Sequence, residues 1–181
     1  MKQVDFLAAS ATLMVWFLMP SFAAPKASTT TTQAETVLEQ IDGWSAAVAS
    51  TADLLGNMAQ RKLEPESHIE GLNILREDIN KIGSGIQTLE AERDSLAPWE
   101  ASVLDQILPL MHDAAGNAEK AIQTFSSDRQ HLWATSYVSD TGQIFNDAEK
   151  VATLLHDSLR LEKLQKQEQR IEKNLGAPAQ P

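Results

Sequence analysis

Between residues 33 and 160 the apolar positions recur in alternating steps of four and three, the spacing that gathers them on one face of an α-helix. The first run is Val37, Ile41, Trp44, Val48, Thr51, Leu55 and Met58. The second is Ile69, Leu72, Leu75, Ile79, Ile82, Ile86, Leu89 and Leu96, interrupted near its end by Arg93. A third passes through Val103, Ile107, Leu110, Ala114, Ala121 and Phe125, and a fourth through Trp133, Tyr137, Thr141, Ile144, Ala148, Val151, Leu155 and Leu159. Pro65 and Pro98 fall between runs, where proline suits the first turn of a helix and pushes the residue before it out of helical geometry. Ser126-Ser127-Asp128 makes the third break, and Thr32 followed by Glu35 has the capping-box spacing of a helix start. No alternating β pattern occurs. Connections this short make successive helices antiparallel neighbours. The pattern predicts an all-α fold, an antiparallel up-down-up-down four-helix bundle over residues 33–160.

One stretch breaks the second run. Gly83 and Gly85 flank Ser84 in mid-helix, and each interior glycine costs about 1 kcal/mol relative to alanine. Folding the four runs back on one another at their turns places Trp44, Gly83, Gly85, Pro109 and Phe145 at one level of the bundle. A large indole opposite residues without side chains is a packing solution, because helices approach to about 8–10 Å only where small residues face large ones. The same layer is also where a mid-bundle cavity for a ligand would form.

The fourth run changes face. At 100° per residue, Leu155 and Leu159 share the core face, whereas Leu161, Leu164, Ile171 and Leu175 lie nearly opposite, at heptad spacing around Glu168. Helix four is also longer than its partners by about 15 residues, about 22 Å at the helical rise. Residues 161–175 are therefore expected to form an amphipathic extension whose stripe makes a short coiled-coil contact with a second copy or another protein, followed by a disordered tail over 176–181.

The amino terminus reads as a processing segment. Lys2 precedes an apolar run from Phe6 to Met19, and Ser21 and Ala23 are the small residues of a cleavage site, so residues 1–23 have the form of a secretory signal peptide. The run is shorter than the ~20 residues of a membrane anchor, and no stable membrane insertion is expected once it is removed. Residues 24–32, rich in Ser and Thr, read as a disordered spacer. With no cysteine, the exported chain has no disulfide, no lipid-bearing thiol, no thioether haem attachment and no thiolate zinc site.

Charge narrows the partners. The formal net charge is −10. Residues 160–181 hold Arg160, Lys163, Lys166, Arg170 and Lys173 against Glu162, Glu168 and Glu172, a net of +2, so the remainder carries −12. An acidic body of that kind repels nucleic acid and anionic lipid.

Catalytic and metal chemistry find little purchase. A ferritin-like di-iron bundle needs Glu-x-x-His from two helices and two further carboxylates; here only Asp128-x-x-His131 comes near, and it lies at a turn. His112 falls opposite the core seam of helix three and His156 on the flank of helix four, too far apart along the bundle to share a metal. For a noncovalent haem, Met58 with His68 is the one axial pair at a common level. Asp140-Thr141-Gly142 copies an aspartic-protease tripeptide but falls inside a helix, whereas that chemistry needs two carboxylates sharing a proton. Ser84 between its glycines lacks both the spacing and the preceding strand of a nucleophile elbow. No catalytic residue, cofactor or metal is assigned. The expectation is an exported, periplasmic or extracellular, non-catalytic bundle acting through protein–protein contacts, in a structural, interaction or chaperone-like role. The alternative is a periplasmic carrier of a small apolar ligand or haem in the Trp44/Gly83/Gly85/Pro109/Phe145 layer.

Overall fold

The computed structural model describes residues 27–176 of the chain, with side chains described over 33–174; the expected signal peptide at 1–23, the first residues of the expected spacer, residues 177–181 and the side chain of Leu175 lie outside them. Four helices account for nearly all of it: α1, Ala27–Gln60; α2, Glu66–Ala91; α3, Pro98–Ser127; and α4, Tyr137–Gly176. Single 3-10 turns at Arg93–Ser95 and Leu132–Ala134 sit in the second and third connections. No strand occurs among the described residues. The helices pack consistently with a bundle, each against two neighbours: α1 against α2 and α4, and α3 against α4 and α2.

Contacts across α1 and α2 run in opposite order. The α carbon of Gly71 faces Leu55, Gly85 faces Ile41 and Val37, and Glu92 hydrogen bonds Gln33. Between α1 and α4 the order is likewise reversed, with Gly56 facing Thr141, Glu39 pairing with Lys163 and Glu35 with Lys166. The core is built from the four-three positions of all four helices, among them Leu38, Ile41, Leu55, Leu75, Ile82, Leu104, Ile107, Ile144 and Leu155.

The ends of the helices follow local chemistry. α1 stops through a Schellman-type arrangement: Leu63 N–H donates to the Met58 carbonyl, Lys62 N–H donates to the Ala59 carbonyl, and Lys62 takes the left-handed conformation at φ 55 that glycine usually fills. Pro98 is the first residue of α3, and the Glu100 carboxylate reaches back to accept the Ala97 N–H at 2.7 Å. Arg93, the residue that interrupts the second seam, follows the end of α2 and pairs with Glu90 and with Asp105 of α3. It thereby clamps the α2–α3 connection.

Several features differ from the pattern-based reading. On α1 the inner seam runs through Leu38, Ser45, Ala52 and Ala59 together with Ile41, Val48 and Leu55, and the expected members Val37, Trp44, Thr51 and Met58 are half-buried on its flank. α1 begins at Ala27, ahead of Thr32, so that 27–32 belong to the helix rather than to a spacer. The loop before α4 is longer than expected, and its 3-10 turn shifts the helical phase, so Leu132 enters the core while Trp133 is left exposed under the Lys62 ammonium, 4.8 Å from its ring centre. Finally, α2 turns His68, not Ile69, inward; His68, Leu72 and Leu75 continue the four-three seam one residue out of step with Ile69, which is exposed.

Candidate functional site

Geometry at the C-terminal end of α4 is set by charge. Lys163 reaches Glu39 at 2.8 Å and Lys166 reaches Glu35 at 2.6 Å, so two basic side chains strap the extension onto the start of α1. Lys166 also lies 3.5 Å from Glu162 one turn earlier. Beneath them is Glu100 of α3, with no exposed surface. Its Oε2 accepts the Ala97 amide, whereas Oε1 is buried without a partner among the described residues. Burial pushes this carboxyl above the usual range; Glu35 and Glu162 add to the shift and Lys166 opposes it.

With its inner side pinned this way, α4 turns a row of leucines and isoleucine outward. Leu161, Leu164 and Ile171 are 57%, 53% and 50% exposed, large values for aliphatic side chains held on an ordered helix. They form a ridge on the side away from Leu155 and Leu159, both of which are buried. Beside the ridge, between α1 and α4, is an open groove of about 470 Å³ bordered by Leu159, Leu164, Glu39, Asp42, His156 and Lys163. Asp42 is pushed up chiefly by burial, with His156 and Lys163 pulling it down and Glu39 raising it.

The mid-bundle residues are distributed differently from their expected single layer. Trp44 is half-buried and shares with Gly85 a shallow groove of about 440 Å³ between α1 and α2. Gly85 nevertheless owes its lack of a side chain to Ile41: a Cβ there would stand 3.1 Å from Ile41 Cγ1 and 3.2 Å from Cδ1. The partner of the glycine is thus the buried isoleucine one turn before Trp44, not the indole. Gly83 opens toward α3 instead, and a Cβ on it would meet nothing within 4 Å. Pro109 is exposed within an unbroken α3, and Phe145 is half-buried against the core. Trp44 and Gly85 are brought together; Gly83, Pro109 and Phe145 line other surfaces.

No family model, curated protein or solved structure matches this chain. Its site must therefore be read from its own chemistry.

The histidines separate into two kinds. His112 is outward, with 89% of its side chain exposed, and His131 bonds Asp128 within the turn at 3.0 Å. His68 is the reverse. It has no exposed surface, its Nδ1 shares a 3.0 Å hydrogen bond with the buried Tyr137 hydroxyl, and its ring lies edge-on to that of Tyr137. Burial lowers the basicity of the imidazole and raises the pKa of the phenol. The sequence offered His68 only as a haem ligand paired with Met58; in the structure its Nδ1 is taken by Tyr137 and Met58 is half-buried on the flank of α1, and the sign of its inward place was its four- and seven-residue spacing to Leu72 and Leu75. Among the described residues, no group of three or more His, Asp or Glu side chains is arranged to hold a metal ion, and no helix is long and apolar enough to cross a membrane.

Proposed function

We propose that this is an exported, non-catalytic protein, an up-down-up-down bundle freed of residues 1–23, which works in the periplasm or outside the cell by holding another protein chain on the outer ridge of α4. One observation carries this reading: three large aliphatic side chains, Leu161, Leu164 and Ile171, stand half-exposed in one row on a helix that is otherwise anchored by ion pairs. Transferring such side chains out of water is worth about 1.5–3 kcal/mol each when burial is complete. A rigid ridge loses little further entropy when it is covered. The test is affinity capture from the exported fraction with the wild-type chain and with a Leu161→Asp/Leu164→Asp variant. Both substituted positions are exposed, so the variant keeps its helical signal and is expected to lose its captured protein. Equal recovery by both chains contradicts the reading.

A second reading is supported by the Trp44 groove, where an indole, Gly85, Val37 and polar side chains of α2 border a concave surface. A carrier of a small apolar molecule would use it. Titration with such a compound would change tryptophan fluorescence in the wild type and leave a Trp44→Leu variant unaltered; no change in either excludes the carrier.

A further inference from the structure

His68 and Tyr137 join the beginnings of two helices, at the end of the bundle that holds the first and third connections. His68 is the third residue of α2 and Tyr137 the first of α4. Beyond its bond to the Tyr137 hydroxyl, the imidazole has a second nitrogen, Nε2, that is buried without a partner among the described residues. A neutral ring can leave that nitrogen as a bare acceptor. A protonated ring must place a second N–H, and a charge, where nothing accepts them.

The surroundings supply no counter-charge. Tyr137 faces the ring from α4, and its phenol, pushed up by burial, stays protonated. Phe125 faces it from α3 at 6.2 Å between ring centres, and over that phenyl ring lies the Arg129 guanidinium, a like charge. Past the end of α1 the charged residues are Arg61 and Lys62, both exposed, with Lys62 over Trp133. The third connection carries Asp128, which is bonded to His131, and α4 carries Asp140 a turn beyond Tyr137. On α2 itself Glu66 and Glu70 are exposed. Burial lowers the basicity of His68, and no side-chain charge among these adds to the effect or opposes it. Both partners also stand in first turns, where helix dipoles present their positive ends.

These first turns are cheap to open. α2 starts at Pro65 without a side-chain cap, and α4 follows the single 3-10 turn at Leu132–Ala134. Farther along, Leu75, Ile82 and Leu89 of α2 and Ile144, Val151 and Leu155 of α4 are buried in the core. Opening at His68 therefore stops short of them.

We propose that the His68–Tyr137 contact is an acid-released latch: protonation of His68 parts the first turns of α2 and α4, brings Phe125 and Leu132 to the surface, and leaves the remainder of the bundle closed. The α4 ridge lies toward the opposite end, where Glu35 pairs with Lys166, so the latch acts apart from it.

Amide exchange read by mass spectrometry tests this, each rate being divided by that of the unfolded chain at the same pH. Once released, His68 titrates at the 6.5 of a free histidine, so acidification from about pH 7 to about pH 5 favours the open form by up to about 25-fold. Protection over 70–75 and 141–144 is expected to fall by between about fivefold and about 25-fold, while 82–89 and 151–159 change by less than about twofold. His68→Gln cannot titrate and should keep its protection at both pH values; His68→Leu replaces it if it does not fold. Glu100 and Asp42, the carboxyls raised by burial, lie toward the ridge end, and their titration would register over 34–42 and 100–107 instead. Unchanged protection over 70–75 and 141–144 in the wild type, an equal loss in every segment, or the same loss in the variant overturns the proposal.

Discussion

Gly83 and Gly85 stand two residues apart in one helix and meet opposite environments. At Gly83 the missing methyl group would enter open space, so Gly83→Ala should gain about 1 kcal/mol from helix propensity alone. At Gly85 the same methyl would press on the buried Ile41 side chain at 3.1 Å, which must shift to admit it, and Gly85→Ala should be neutral or destabilising. Thermal unfolding of the two single variants, side by side, reads the difference in sign. His68 makes the pH prediction at this scale. Its folded-state pKa is below the 6.5 of the free side chain, so the unfolded chain takes up the proton first. Stability from this site is complete above about pH 6.5 and declines as pH falls from there toward the folded value. His68→Gln, which retains a hydrogen-bonding group toward Tyr137 but cannot titrate, should flatten that part of the stability–pH curve. An unchanged slope in the variant would assign the acid sensitivity to another group.

Among the elements, α2 was read closely from sequence: Leu72, Leu75, Ile82, Ile86 and Leu89 are buried as the spacing requires, whereas Ile79 is half-buried beside a buried Asp78, and Ile69 is the more apolar neighbour of the true inward residue, His68. The proline-marked breaks and the change of face along α4 were legible as well, since both depend on local geometry. Three things were not. The inner seam of α1 falls on Leu38, Ser45 and Ala52 rather than on Val37, Trp44 and Thr51, the phase of Leu132 and Trp133 depends on one 3-10 turn, and the partner of Gly85 depends on which of Ile41 and Trp44 points across. Each is a tertiary fact that periodicity cannot carry. The α4 extension yields its own prediction. Lys166→Glu would set a fourth carboxylate among Glu35, Glu162 and buried Glu100, and amide exchange over 162–174 should quicken while α2 stays protected. Glu100→Gln should stabilise the chain at neutral pH. The wild-type carboxyl has a raised folded pKa, so its penalty grows as pH rises past 4.5 and through the folded value; the advantage of the variant should vanish below about pH 4.5.

For the molecule as a whole, the arrangement separates an acidic, well-buried body from a basic extension with an apolar outer row. The core fixes the body, and ion pairs to α1 fix the extension; nothing among the described residues covers Leu161, Leu164 and Ile171. If export occurs as proposed, mass measurement of the secreted product will begin it at Ala24. The interaction surface itself is tested most directly by photocrosslinking in the intact cell, with a benzophenone side chain placed in turn at positions 164, 171 and, as a control on the exposed side of α1, 53. The account predicts protein adducts from 164 and 171 and none from 53. Adducts absent from both ridge positions, or equally abundant from the control, would contradict it.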